Sequence, residues 1–165
     1  PFYANPLNVI TKLDEAGADG FVLFNRLFQP DIDIDEINHT SPFNLSNQGD
    51  YKMPLRYTGM LYNNVNASIC ANTGIYTGED VVKMILAGAD AVQVVSAIYK
   101  NKIPYITTIL GELETWMNKK GFSSLNDFRG KLSKKNTKDP WVYKRAQYID
   151  ILLKSDEILK KHPVR

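Results

Sequence analysis

Apolar residues at helical spacing mark most of the chain. Val9, Ile10 and Leu13 predict a first helix over 5–17, and Asn5 followed by proline is typical of a helix N-terminus. The same spacing predicts further helices over 54–63, 77–88, 103–119, 123–129 and 141–160.

Three short apolar runs lack this periodicity and instead indicate strands, near 20–24, 67–71 and 91–95. Because the runs are continuous rather than alternating, they predict strands buried on both faces, as in a parallel sheet. An internal repeat supports parallel order, since Gly17-Ala18-Asp19 and Gly88-Ala89-Asp90 each join a helix end to one of these strands. The sequence therefore predicts an α/β fold with about three parallel strands and a helical tail over 103–160.

A long polar stretch over 25–53 follows the first predicted strand. It has no clear periodicity, which is unusual inside a compact domain and typical of a functional loop. Asp31, Asp33 and Asp35 lack the Gly and Glu that a calcium loop requires at its sixth and twelfth positions. Ile32 alternates with these aspartates, which favours a short exposed strand or hairpin.

Composition restricts the class of protein. The 165 residues are 44% hydrophobic and 23% charged, as in a globular domain. The single cysteine, Cys70, excludes a disulfide framework and a multi-cysteine zinc site; no metal site is predicted, and Cys70 is expected to be a small core residue. The chain contains no run of 18 apolar residues, so no membrane-spanning helix is predicted. The lysines of the basic region 100–165 lie beside acidic residues at helical spacing, so nucleic-acid binding is not expected.

Two strand ends carry groups suited to an anion. Thr73-Gly74 follows the second strand, and Gly74 has no side chain, so its backbone N–H can approach a ligand closely. The helix that begins near Thr77 is expected to offer unpaired N–H groups to the same place. Val95-Ser96 ends the third strand and adds a backbone N–H and a hydroxyl. The alternative is that the glycine only forms a tight turn.

The first strand is followed by Asn25-Arg26. Asn25 offers both a donor and an acceptor, which suits a ring that contains an amide, and capping of a turn is the alternative. Arg26 is expected to point outward, because an unpaired buried guanidinium is costly, and the alternative is an inward side chain whose fork suits a substrate carboxylate. An outward Arg26 would lie free on the surface or pair with one of the aspartates Asp31, Asp33 and Asp35.

Several segments occur in an order and spacing that a known family shares. They are Leu23–Arg26, Gln29–Asp33, Asn72–Ile75, Thr77–Asp80, Ile85–Asp90, Val92–Ala97 and Phe128–Leu132. This series resembles the C-terminal portion of the dihydroorotate dehydrogenase family, and especially a dihydroorotate dehydrogenase-like branch found in bacteria. The resemblance implies the C-terminal part of a (β/α)8 barrel, since a complete barrel needs about 250 residues.

The resemblance also implies an FMN-dependent oxidoreductase of pyrimidine biosynthesis in the cytoplasm. It would oxidise dihydroorotate or a related dihydropyrimidine by hydride transfer to flavin. Residues 1–165 would form one portion of the FMN-binding barrel domain. Asn25 would contact the pyrimidine ring, and the flavin phosphate would lie on Thr73, Gly74, Val95 and Ser96.

The family's Cys or Ser base would lie upstream of Pro1, so no catalytic residue is expected in this chain, which is predicted to be inactive alone. Its open strand edges are expected to pair with a second copy or with the remainder of the barrel. Two alternatives stay open: a flavin-free barrel enzyme that binds another phosphate at the same site, and a structural fragment without catalysis.

Overall fold

A computed structural model describes residues 3–26 and 29–143, together with Leu153 and Lys160. Helices and strands alternate over most of these ranges. The helices are α1 (Pro6–Glu15), α2 (Lys52–Leu61), α3 (Gly78–Ala87), α4 (Ser96–Asn101) and α5 (Tyr105–Lys120). The strands are β1 (Gly20–Leu23), β2 (Asp31–Asp33), β3 (Asn38–Thr40), β4 (Ser68–Ala71) and β5 (Ala91–Val92).

The main sheet has three parallel strands in the order β1-β4-β5. Val22 is opposite Cys70, and Cys70 is opposite Ala91, so these three residues share one face of the sheet. The strands β2 and β3 form a separate antiparallel hairpin inside the stretch 25–53. The predicted parallel sheet and the predicted hairpin are both confirmed.

The two faces of the main sheet differ in burial. Leu23, Ile69 and Ala71 point toward the helices and are at most 4% exposed. On the opposite face Val22 is 52% exposed, Cys70 is half-buried and Ala91 is exposed. The prediction that the strands are buried on both faces is therefore wrong for this chain, because the described residues cover only the helix-facing side.

Local capping explains where two helices begin. The side chain of Asn5 accepts a hydrogen bond from the backbone N–H of Asn8 at 3.2 Å. At α3 the side chain of Thr77 accepts from the N–H of Asp80, and the Asp80 carboxylate accepts from the N–H of Thr77. Such a capping box satisfies N–H groups that the helix itself cannot pair. Both predicted helix starts are confirmed.

The structure departs from the helices predicted for the C-terminal part of the chain. The segment 123–129 contains a 3₁₀ turn over Leu125–Asp127 rather than a helix. Phe122, Leu125 and Phe128 recur every three residues, which matches the 3.0-residue period of a 3₁₀ turn. A second 3₁₀ turn covers Pro140–Tyr143, and most of the helix predicted over 141–160 lies outside the described residues.

The third strand is shorter than predicted. β5 ends at Val92 rather than near 95, although the N–H of Gln93 still donates to the carbonyl of Ala71 at 2.9 Å. The chain then turns at Val95, where α4 begins with Ser96. Ser96 therefore lies close to the end of the sheet, in the first turn of a short helix.

The ring of Tyr62, which follows α2, lies between the end of α3 at Gly88 and the later turn at Gly130. A Cβ atom on Gly88 would lie 2.4 Å from the ring of Tyr62, and one on Gly130 would lie 2.2 Å from it. The N–H of Gly130 also donates to the carbonyl of Ile85 at 2.9 Å. Both glycines are thus required for this close approach. None of the helices that the structure describes is long and apolar enough to cross a membrane.

Candidate functional site

A cavity of about 190 Å³ lies at the carboxyl ends of the three parallel strands. Its lining includes every residue that the sequence predicted for the cofactor and the substrate: Asn25, Thr73, Gly74, Val95 and Ser96. These residues are up to 71 positions apart in the chain, and the parallel order of the strands brings them together. In parallel α/β sheets this is the edge at which ligands bind.

The turn after β4 has an unusual backbone. Thr73 and Gly74 both have positive φ angles, 81° and 75°. A positive φ is rare for a β-branched residue and costs about 1–3 kcal/mol where the surrounding structure enforces it. Here Thr73 Oγ1 donates to the carbonyl of Phe24 at 2.7 Å, and the Thr73 N–H donates to Asn72 Oδ1 at 2.7 Å. The strained turn is therefore held to the end of β1.

Ser46 connects the two predicted halves of the site. The N–H of Gly74 donates to Ser46 Oγ at 3.2 Å, and the N–H of Ser46 donates to Ser96 Oγ at 2.9 Å. The two hydroxyl oxygens are 2.7 Å apart. Ser46 and Ser96 are 6% and 8% exposed. Ser46 was not predicted from the sequence, in which only the unusual length of the stretch 25–53 pointed toward it.

The chemistry of this cluster suits an anion. Gly74 and Ser46 contribute backbone N–H groups, and Ser46 and Ser96 contribute hydroxyls that can donate. The cavity lining in the described part of the chain includes no Asp or Glu. The Ser46 hydroxyl now donates to Ser96 Oγ, and the N–H groups of Gly74 and Ser46 donate to the two serine oxygens, so an anion at this position would have to replace these internal acceptors.

At the N-terminus of α3 the backbone N–H groups are paired with carboxylates of the protein. The N–H groups of Tyr76 and Thr77 donate to Asp80 Oδ2 at 3.1 and 3.2 Å. The N–H of Gly78 donates to Glu112 Oε2 of α5 at 2.6 Å. The expectation that this helix offers its N–H groups to a ligand is therefore wrong, because two carboxylates of the protein accept them.

Lys83 balances the charge of the buried carboxylate at this helix end. Asp80 is 1% exposed, and Lys83 Nζ lies 3.1 Å from its Oδ1 and 3.2 Å from Tyr51 Oη. Burial lowers the pKa of Lys83, but the bonds to Tyr51 and Asp80 outweigh it and hold the pKa above its usual value. Lys83 therefore stays charged and compensates Asp80.

Arg26 lines the cavity and does not point outward. Its Nη1 forms an ion pair with Asp50, and its Nη2 donates to Asn44 Oδ1. Neither partner is one of the aspartates Asp31, Asp33 and Asp35, so the predicted orientation and pairing are both wrong. The cost of burying the guanidinium is offset because a carboxylate and an amide oxygen both accept from it.

Amide side chains form the rest of the polar lining. Asn25 follows β1, Asn72 follows β4 and Gln93 follows β5, and all three line the cavity. Within the described ranges, the side chains of Asn25 and Gln93 have no hydrogen-bond partner. Their donors and acceptors are therefore available to an uncharged polar ligand.

Cys70 is not placed as a nucleophile. It lies in β4, is half-buried rather than fully buried as expected, and is not among the residues that line the cavity. Burial raises the pKa of its thiol, which disfavours the reactive thiolate. No group of three or more His, Cys, Asp or Glu within the described residues could hold a metal ion.

Comparison with known proteins identifies the relatives of this chain. A sequence model of the family described as dihydroorotate dehydrogenase matches residues 51–117. A probable dihydroorotate dehydrogenase A (fumarate) of Streptococcus pneumoniae is 41% identical over 69 residues, which are 42% of this chain and 22% of that protein. The dihydroorotate dehydrogenase B (NAD(+)) catalytic subunit of Bacillus mycoides is 30% identical over 137 residues, which are 79% of this chain and 43% of that protein.

This chain is a relative of the dihydroorotate dehydrogenases. It corresponds to their C-terminal portion and spans between about a fifth and two fifths of the length of these two curated relatives. The ligand-free dihydroorotate dehydrogenase of Eimeria tenella has 25% identity and a TM-score of 0.58, over 77% of this chain and 37% of that one. The complex of the Eimeria enzyme with ferulenol has 26% identity and the same TM-score, over 73% and 33%.

The structural relatives confirm the fold class. Dihydroorotate dehydrogenases are (β/α)8 barrels, and this dihydroorotate dehydrogenase-like chain has three parallel strands of such a barrel. The family match over 51–117 contains the Thr73-Gly74 turn and Val95-Ser96, whereas Asn25 lies before it.

Proposed function

We propose that this chain supplies the phosphate-binding end of an FMN-dependent oxidoreductase that resembles dihydroorotate dehydrogenase. Its substrate would be dihydroorotate or a related dihydropyrimidine, and its role would be in cytoplasmic pyrimidine biosynthesis. The observation that carries the proposal is that the Thr73-Gly74 turn, Val95-Ser96 and Asn25 line the same cavity.

The donors around Ser46 are the proposed phosphate site. The N–H of Gly74 and the hydroxyls of Ser46 and Ser96 converge within hydrogen-bond distance of one another, and Thr73 and Val95 shape the backbone on either side. Hydrogen bonds to a charged group contribute about 1.5–3 kcal/mol each. When bound, FMN supplies the acceptor for a hydride.

The amide lining is the proposed substrate side. Asn25 can donate to a ring carbonyl and accept from a ring N–H, which are the groups of a dihydropyrimidine amide. Gln93 lines the same cavity and adds a second amide without a partner in the described structure. A proton-accepting base would come from the rest of the barrel, so turnover requires the completed barrel rather than this chain alone.

Flavin binding by the purified chain tests the proposal. Flavin fluorescence would be followed during titration with FMN and with riboflavin, which lacks the phosphate. We expect FMN to bind at least about tenfold more tightly, and Ser96→Ala to remove most of that difference. Ser68→Ala, at the opposite end of β4, is the control and should leave the ratio unchanged.

Equal affinity for FMN and riboflavin, or no binding of either, would contradict the proposal. A flavin-free enzyme for another phosphate predicts a different result. In that case ribose 5-phosphate would bind in a Ser96-dependent way, while neither flavin would bind.

A further inference from the structure

Arg26 holds both ends of a short segment of the loop between β3 and α2. Its Nη1 pairs with Asp50, and its Nη2 donates to Asn44. Asp50 also accepts from the backbone N–H of Asn47 at 2.8 Å. The segment 44–50 is thus closed on itself and attached to the end of β1 through one side chain.

Ser46 lies inside this closed segment. Its hydroxyl contacts Gly74 and Ser96, and its carbonyl accepts from the hydroxyl of Tyr76. A Cβ on Gly74 would lie 2.8 Å from the carbonyl carbon of Asp50, so the turn after β4 packs directly on the end of the segment. Any displacement of the segment therefore moves Ser46 relative to its two partners.

We propose that the Arg26–Asp50 pair positions the anion site by keeping Ser46 between Gly74 and Ser96. The ligand named here, the phosphate of FMN, rests on the proposed function, whereas the positioning of Ser46 does not. Arg26 is a positioning residue and not a ligand of the anion, because Asp50 neutralises its charge and Asn44 takes a further donor. The side chains of Arg26 and Asp50 are 31% and 34% exposed, so water screens the pair only in part.

The geometry requires arginine. A guanidinium has donors fixed in one plane and can reach two acceptors at once, whereas a lysine ammonium acts as a single point charge on a flexible chain. Lys at position 26 keeps the charge next to Asp50 but cannot reproduce the fixed fork that also reaches Asn44. This difference separates positioning from simple charge neutralisation.

Two measurements on the full chain test the proposal. The first is amide hydrogen exchange at Ser46 and Gly74 without ligand, and the second is the ratio of riboflavin to FMN dissociation constants. The variants are Arg26→Met, Arg26→Lys and Asp50→Asn. Arg56→Met is the matched control, because Arg56 is an exposed arginine of α2.

We expect Arg26→Met and Asp50→Asn to accelerate exchange at Ser46 and Gly74 at least about tenfold, and Arg26→Lys to accelerate it by a smaller factor. The three variants should also lower the riboflavin-to-FMN ratio about fivefold or more, while Arg56→Met changes neither quantity. Exchange at Ile85 in α3 reports whether each variant is folded.

Unchanged exchange at Ser46 and Gly74 in folded Arg26→Met would overturn the proposal, and so would full retention of the ratio in Arg26→Lys and Asp50→Asn. The proposed function fails differently. If the unaltered chain does not distinguish FMN from riboflavin, the phosphate assignment is wrong, while faster exchange in the variants would still support the positioning role.

Discussion

The carboxylate of Glu112 accepts a hydrogen bond from the backbone N–H of Gly78 at 2.6 Å and so joins α5 to the first residue of α3. The two helices approach closely here, since a Cβ on Gly78 would lie 2.7 Å from the carbonyl oxygen of Ile109. A carboxylate at a helix N-terminus is stabilised by the helix dipole. The positive end of α3 is therefore used within the fold, and the proposed anion site depends on the turn and the two serines.

Removal of this carboxylate should weaken the fold without affecting the anion site. Glu112→Ala is expected to lower the free energy of unfolding by about 1–2 kcal/mol, since a charged hydrogen-bond partner of α3 is lost. Denaturant unfolding measures the change. Glu114→Ala, an exposed position of the same helix, should change it by less than about 0.5 kcal/mol. A changed riboflavin-to-FMN ratio in Glu112→Ala would show that this helix end belongs to the site after all.

Alanine substitutions at three glycines should change the free energy of unfolding differently, two lowering it and one raising it. Gly74→Ala is expected to cost more than about 2 kcal/mol, because the new Cβ would lie 2.4 Å from the N atom of Tyr51 and φ is positive. Gly17→Ala should cost about 1 kcal/mol, because φ is positive but the surrounding space is open. Gly111→Ala in α5 has open space and should stabilise by about 0.5–1 kcal/mol. Thermal unfolding would order the three variants, and a tolerated Gly74→Ala would contradict the packing described here.

Ionisation of the single thiol should lower the stability of the fold at alkaline pH. Burial raises the pKa of Cys70 in the folded state above its ordinary value of 9.0. Its contribution to stability is therefore complete below pH 9 and decreases as the pH rises through the folded pKa. Unfolding of the unaltered chain and of Cys70→Ala at pH 7 and pH 10 isolates this contribution. The unaltered chain should lose more stability than the variant over this interval, and equal losses would show that burial does not govern the thiol.

Asn25 should affect substrate turnover more than stability. An unpaired substrate amide in a cavity costs about 1–3 kcal/mol, so Asn25→Ala should lower kcat/KM roughly 5- to 150-fold in the assembled barrel enzyme. Steady-state kinetics with dihydroorotate and with dihydrouracil would measure the loss. Asn66→Ala, at an exposed position before β4, is the control. Unchanged kinetics for both substrates would exclude Asn25 from the substrate site.

The uncovered sheet face should drive association of the isolated chain. Val22 is 52% exposed, and the apolar face it shares with Cys70 and Ala91 adjoins strand edges that can pair with another chain. Light scattering should detect self-association that Val22→Lys reduces. Leu13→Lys, at an equally exposed position on α1, should have little effect. A monomer at high concentration in the unaltered chain would contradict this prediction.

Structural features that depend on residues close together in the chain could be predicted from the sequence. Thr77 and Asp80 are three positions apart, so their reciprocal capping follows from the sequence alone. The same holds for Asn5 at the start of α1. The parallel sheet was accessible because each strand is a continuous apolar run, and the parallel order then predicted that Thr73-Gly74 and Ser96 lie at one edge.

Features set by distant residues were not accessible. Ser46 bonds to residues 28 and 50 positions away, and no periodicity in a polar loop indicates which hydroxyl turns inward. Arg26 pairs with Asp50, 24 positions away, although Asp31, Asp33 and Asp35 are nearer to Arg26 in the sequence. Such pairs depend on how the loop folds back over the sheet edge, which composition and spacing do not encode.

The ring of Tyr62 between Gly88 and Gly130 has a consequence for how this region can change over evolutionary time. A methyl group gained at either glycine would overlap the ring at position 62, and the positive φ angles of the two glycines, 121° and 70°, disfavour a side chain even without that ring. The order of substitutions is therefore constrained, because Tyr62 has to be replaced by a smaller residue before either glycine can change. Among relatives, the aromatic ring and the two glycines should be inherited together as a set.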